Sequence, residues 1–447
     1  MTEVQAARPR AAGDLLTVGF GTTVAMWGIG YVCHLPGLAA PSWAVFLLMI
    51  ACLVAGGAAC GAITSRGPAG AAKAGAITGV LNLLVLGSVL GGSDFRAQAA
   101  SAAVWVAGSI LVTVACFVIG ASIARRRQPA ADGCAPNWPA AFTTVLAFAT
   151  LLLLSIGGVV TGYEAGLAVP DWPNTFGMFM FLYPLSKMTG GIYYEHAHRL
   201  MGSLVGLSTL VLAVYLHMVE PRAWLRRLAL VALAAVILQG ILGGLRVTGR
   251  FTLSTDSDAL APNLALAVVH GVLGQAFFAL VAAMRVFLSQ AWRQAPASDA
   301  AAVIAYPRAL GIVAIVLLLV QLAIGATVRH ATWGLHLHLT LALAVVVVTG
   351  VHALRAWRLP VESRAVHGLA GWVLAGLGVQ LLLGFAALAA VMVVPAGSRP
   401  PAWHVLLTTA HQTVGALLLA GQTALALLCW RQSSPIAARR GFPVASA

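Results

Sequence analysis

The sequence predicts an all-α polytopic membrane protein. Three observations carry that reading. Of 447 residues, 60% are hydrophobic and only 9% are charged. Apolar runs of about 20 residues, the length that crosses the hydrocarbon core, recur from end to end. The basic residues are dense in alternate loops and sparse in the others. A soluble domain of this size would not be so depleted in charge.

The apolar runs number twelve, at 14–33, 42–63, 74–92, 103–123, 143–161, 197–217, 226–246, 264–287, 306–327, 335–355, 366–392 and 404–429. A short polar arm with Arg8 and Arg10 precedes the first, so it reads as a retained span rather than a cleaved signal. With that arm in the cytoplasm, 19 of the 26 Lys and Arg residues fall on the cytoplasmic side. The expected location is therefore the cytoplasmic (inner) membrane, with both termini in the cytoplasm. The net charge of +14 is accounted for by topology, and no nucleic-acid motif accompanies it.

Spans 1–4, within residues 1–125, are rich in Gly and Ala, as at Gly56-Gly57-Ala58-Ala59. Small residues let membrane helices approach closely. The one histidine here, His34, sits at a span end and carries no evident chemistry. Residues 126–141, basic and then Pro-containing, read as a cytoplasmic linker. The six cysteines show no CxxC and no metal-type spacing.

Spans 5–12 carry an internal repeat. Gln239-Gly-Ile-Leu-Gly243-Gly-Leu-Arg246-Val-Thr248 is echoed by Gln321-Leu-Ala-Ile-Gly325-Ala-Thr-Val-Arg329-His330. A third copy opens Gln380-Leu-Leu-Leu-Gly384, and a degenerate one lies at Gly157-Gly-Val-Val-Thr161. Each ends an odd-numbered span. The following span carries a histidine near its outer end: His198, His270, His338 and His411. His198 to His270 is 72 residues and His338 to His411 is 73. Two tandem four-helix halves, 142–290 and 300–432, with a cytoplasmic tail at 433–447, explain the spacing.

An imidazole in hydrocarbon needs a partner for its ring nitrogens. Four at one depth and matched spacing point to ligation. Zinc prefers three or four donors together. A porphyrin iron needs only two axial ligands, and an apolar bundle solvates the macrocycle. Two histidine pairs imply two haem sites. His217, His352 and His367 are read as inner or cytoplasmic, and His330 and His404 as residues of outer loops. His196 and His336 each precede a ligand by two residues, a rotation of about 200° that turns them from the same pocket. His336 stays open as an alternate to His338.

The stretch Tyr194-Glu195-His196-Ala197-His198-Arg199 opens span 6. Glu195, His198 and Arg199 share one helix face. They are either an ion pair beside interfacial histidines or a functional constellation, since ionisable groups inside a membrane are costly. The loop before it holds Val169-Pro170-Asp171-Trp172-Pro173, a rigid turn with an interfacial or pocket Trp. Arg246 and Arg329 suit carboxylates such as haem propionates, and equally suit an interface.

Gly162-Tyr-Glu-Ala-Gly-Leu-Ala-Val-Pro-Asp-Trp-Pro173 and Glu195-His-Ala-His198-Arg199 resemble the outer-loop and Glu-x-x-His-Arg motifs of the haem A synthase family. The resemblance covers about residues 142–430. It implies oxidation of a haem O methyl group to a formyl group through hydroxylated intermediates. It implies that His198 and His270 hold the substrate haem O, that His338 and His411 ligate haem B, and that Glu195 is the acid/base residue, with Arg199 beside the cofactor. An electron donor, and a haem O synthase as supplier, are the implied partners. Many members of that family carry cysteines in the outer loops; Val169 and Thr175 occupy the corresponding places in the first loop here, Leu339 stands where an Arg is expected, and residues 1–125 lie outside the family core. The rival reading is a non-catalytic dihaem electron-transfer protein, which needs the same four histidines but not Glu195.

Overall fold

The computed structural model describes residues 12–38, 40–64, 66–90, 99–125, 136–248, 264–293, 308–359, 364–395 and 398–432. It is an all-α polytopic membrane protein, with twelve helices among the described residues long and apolar enough to span a bilayer. They are α1 (Gly13–Cys33), α2 (Ser42–Ile63), α3 (Gly67–Leu90), α4 (Ala99–Arg125), α5 (Trp138–Gly162), α6 (Gly190–Val219), α7 (Ala223–Thr248), α8 (Leu264–Leu288), α9 (Arg308–Ala331), α10 (Leu335–Trp357), α11 (Arg364–Val393) and α12 (Ala402–Gln432). A single helical turn, Gln290–Arg293, follows α8. Between α5 and α6 a two-residue hairpin pairs Asn174 with Phe179 and Thr175 with Met178. Arg8, Arg10, Arg126, Arg127, Arg439 and Arg440, which helped to orient the chain, lie outside the described residues.

The chain divides into two compact units, one of residues 1–156 and 165–233, the other of 157–164 and 234–447. In the first, α4 packs on α2 and α3, and α1 packs on α2, α3 and α6. Leu15, Leu53, Cys60, Ala74 and Phe117 form its core. Close approach is what the small residues provide. A Cβ on Gly57 would strike the Phe117 backbone, and one on Gly120 the Val54 carbonyl. Phe142 on α5 sits edge-on between Phe20 of α1, at 5.2 Å, and Tyr215 of α6, at 6.4 Å. The extension and the motif-bearing helix α6 thus share one core.

In the second unit, α9 packs on α10, α10 on α11, α11 on α12 and α12 back on α9, a closed four-helix ring. Helix α8 packs on α9 and α12. Ala353, Val373, Leu418, Leu425 and Cys429 are in its core. Gly334, at φ 93°, makes the tight α9–α10 turn that a side chain would strain.

Candidate functional site

Helix α6 begins at Gly190, so Glu195, His196, His198 and Arg199 all lie in its first three turns. The Arg199 Nε–H donates to Glu195 Oε1 at 3.1 Å, four residues back along the helix. Both side chains are more than nine-tenths buried. The guanidinium is otherwise spent on the preceding loop. Nη1 donates to the carbonyls of Asp171 at 2.7 Å and Asn174 at 3.1 Å, and Nη2 to that of Val169 at 2.8 Å. Arg199 therefore clamps the loop and holds the carboxylate with one rigid fork. Breaking such a pair strands a buried charge, at a cost of about 3–5 kcal/mol.

The loop is ordered from within as well. Asp171 accepts the backbone N–H of Phe176 and of Gly177, each at 2.8 Å, which closes the turn after Pro173. Phe176 and Gly177 both have positive φ, so those amides turn inward to one carboxylate. Val169 and Thr175 are fully buried. Thr175 Oγ1 lies 3.2 Å from His196 Nδ1, and the His196 ring packs on Tyr183 at 5.3 Å. Burial pushes the Tyr183 phenol above its ordinary value and keeps the ring neutral. His196 thus serves the loop, on the helix face away from His198, as the two-residue step requires.

The extension reaches the same loop. Tyr193 Oη–H donates to the Tyr31 carbonyl of α1 at 2.6 Å, and the two rings stack at 5.6 Å. The end of α3 packs on the helical turns Met180–Leu182 and Leu185–Lys187. There Ser88 Oγ–H donates to the Phe181 carbonyl at 3.4 Å. These contacts are long-range in sequence, and no motif foretold them.

In the second unit the repeated Gln-x-x-x-Gly elements meet the histidines. Gln239 Nε2–H donates to the His270 carbonyl at 3.2 Å, and Gln321 Nε2–H to the His338 carbonyl at 2.9 Å. Gln321 Nε2 is also 3.3 Å from His338 Nε2, and Gln380 Nε2 is 3.4 Å from His411 Nε2. The glycine one turn on receives the ring. A Cβ at Gly325, Gly384 or Gly243 would lie 2.9, 3.1 or 3.4 Å from Cε1 of His338, His411 or His270. The ring centres of His338 and His411 are 6.4 Å apart. Their Nδ1 atoms are buried and have no hydrogen-bond partner among the described residues.

The two imidazoles could together hold a metal-bearing group, a metal–nitrogen bond being about 2 Å, and would supply it with nitrogen ligands. A buried ring nitrogen without a partner is costly unless something fills it. Among the described residues no three His, Cys, Asp or Glu side chains converge on a metal-sized site, so the donor set here is a pair. His336, two residues before His338, is exposed, and Leu339 beside His338 is 42% exposed.

Arg246, Arg329, His270 and His330 share one electrostatic neighbourhood, which Arg329 extends to His404 and Glu164. Arg329 Nη2–H donates to the Thr161 carbonyl at 2.8 Å. Both arginines are thus partly buried at the histidine end of this unit. His330 ends α9 and His404 opens α12, so both belong to helix ends where the sequence suggests loops. Pro400 and Pro401 set that start, since the rigid φ of proline suits the entry to a helix.

Residues 140–337 match the COX15-CtaA family, cytochrome oxidase assembly protein. The resemblance to the haem A synthase family holds over that stretch. It runs from the start of α5 into the first turn of α10, includes His198 and His270, and ends one residue before His338. No curated protein matches the chain.

Proposed function

Proceeding from the match of residues 140–337 to the cytochrome oxidase assembly family, we propose that this protein is a haem A synthase-like oxidoreductase. It converts a methyl group of haem O to a formyl group through hydroxylated intermediates. It lies in the cytoplasmic membrane with both termini inside. The observation that carries the reading is the buried Glu195–Arg199 pair on the helix that bears His198. A ligand set for electron transfer alone has no use for it.

The roles follow from the chemistry of each residue. His198 and His270 hold haem O, a pairing that rests on the sequence repeat. His338 and His411 hold haem B through imidazole nitrogens, which fits their spacing and their partnerless Nδ1 atoms. When bound, haem B supplies a one-electron redox centre. Arg246 and Arg329 pair with propionates, as a planar guanidinium suits a carboxylate. Glu195 takes and returns protons at its carboxylate oxygens, and Arg199 fixes its orientation. Val169 and Thr175, both fully buried, back the loop that Arg199 clamps against this carboxylate. The partners are an electron donor and a haem O synthase that supplies the substrate.

The test is Glu195→Gln. The variant keeps the wild-type haem content, and formyl product falls by about 100-fold or more. Full product formation removes Glu195 from the mechanism. A wild-type protein that carries haem and converts none favours the second reading, a dihaem electron-transfer protein, for which the His338–His411 spacing alone suffices.

A further inference from the structure

The extension carries none of the residues assigned to chemistry above, yet it holds the polypeptide that carries them at two places. Helix α1 packs on α6. Near the start of α1 a Cβ on Gly13 would strike the Tyr215 phenol, and near its end the Tyr31 ring stacks on Tyr193, 5.6 Å away with 16° between the planes. Tyr193 lies two residues before Glu195, a rotation of about 200° on the helix. Helix α1 therefore grips α6 on the face away from Glu195, while Arg199 binds the carboxylate on its own face.

Helix α3 takes the loop itself. A Cβ on Gly87 would strike the Phe181 carbonyl and come within 2.9 Å of Leu182 Cδ2, and Ser88 Oγ–H donates to the same carbonyl. Glycine at that position is what lets the two backbones meet. Two residues after Phe181, Tyr183 packs on Phe176 at 5.7 Å and on His196 at 5.3 Å. His196 adjoins Glu195 in the chain. A short run of packed residues thus joins the end of α3 to the turn of helix that bears the carboxylate. No cysteine lies between Cys134 and Cys429, so packing and hydrogen bonds alone close the loop.

We propose that the extension is a built-in brace for the oxidation site. Tyr31 and Gly87 are its positioning residues. They act through Tyr193 and through Phe181, Tyr183 and His196, and they hold Glu195 and its Arg199-clamped loop in one place through successive oxidations. This deepens the haem O reading and rests on it. Two oxidations at one carbon need the carboxylate at the same spot twice, and the half-oxidised substrate must stay bound between them. A loop that drifts releases that substrate as the alcohol. The brace sets how far the oxidation runs, while haem binding is left to the histidines.

The experiment uses the full-length protein made in cells that supply haem O, with hydroxylated and formyl haem separated and quantified. Gly87→Ala pushes a methyl against the Phe181 carbonyl. Tyr31→Leu removes the stacked ring but keeps the backbone carbonyl that Tyr193 uses. In each, formyl haem falls roughly 10-fold while the hydroxylated share rises, as a small misplacement of a catalytic group predicts. Haem B content stays at the parent's level, and amide hydrogen exchange quickens across the loop, residues 163–189. Gly75→Ala is the control. Its methyl would lie 3.0 Å from Phe117 Cβ and 3.1 Å from Val114 Cα, inside the extension and away from the loop. It lowers the melting temperature and leaves the product ratio and the loop's exchange unchanged. A parent-like product ratio, or unchanged loop exchange, in both Gly87→Ala and Tyr31→Leu overturns the brace. So does the same shift in Gly75→Ala, which would reduce the extension to a source of stability. Wild-type protein that oxidises no haem O overturns the haem O reading and the role in oxidation with it; quickened loop exchange in the two variants then separates that failure from a failure of the contacts.

Discussion

The α5–α6 loop with the start of α6, and the histidine end of the ring α9–α12, solve different problems with different residues. The first is crowded with polar contacts. One arginine binds a carboxylate and three loop carbonyls, Asp171 caps a turn, and Thr175, His196 and Tyr183 close behind it. The second is spare: glutamine, glycine and imidazole, repeated, with apolar residues between. A carboxylate that handles protons needs a dry, fixed and polar surround. A bound macrocycle needs little beyond two imidazoles and apolar walls. On the function proposed above, the difference separates a place for chemistry from a place for a resident group.

Exchanging the ligands separates the regions most sharply. His198→Ala should lose substrate haem and keep haem B, and His411→Ala should lose haem B, each assayed by pyridine haemochrome and chromatography. Loss of the same haem from both would merge the two sites. Arg199→Ala comes next. It removes four hydrogen bonds and strands Glu195, so a destabilisation of about 3–5 kcal/mol is expected. Faster proteolysis should be confined to residues 163–189, and haem B should be retained. An unchanged loop would mean that α1 and α3 hold it alone.

A smaller effect is expected at the cradles. Gly325→Ala and Gly384→Ala push a methyl to 2.9 and 3.1 Å from a ring, costing about 1–3 kcal/mol and weakening haem B binding without touching the loop. Smallest is Tyr193→Phe, which forfeits one bond to the Tyr31 carbonyl, about 0.5–1.5 kcal/mol by thermal unfolding, with product formation near wild type. A large loss of product there would make the extension part of the chemistry.

Much of this was legible in one dimension. Hydrocarbon thickness writes itself into sequence as length, so all twelve spans are readable, and histidines at 72- and 73-residue intervals announce a repeat. The repeated glutamines and glycines were visible, but their task was not, because it depends on which helix faces which. Arg199 was expected beside a cofactor; its contacts to carbonyls 25 to 30 residues earlier are tertiary and leave no periodic trace. The helix rotation turns His196 from the face of His198, and the structure buries it completely, against Thr175 of the loop. The loop closes without a covalent bond there, through the Val169 carbonyl on Arg199 and the Thr175 hydroxyl on His196. Val169 and Thr175 are the two ends of that closure.

The most direct test of the account is the identity of the haem extracted from purified protein made in cells that supply haem O. Reverse-phase separation with mass detection should find haem B together with haem A or a hydroxylated haem O. Haem B alone, with haem O available, would contradict the enzyme and leave an electron carrier; no haem of any kind would contradict the reading of the four histidines.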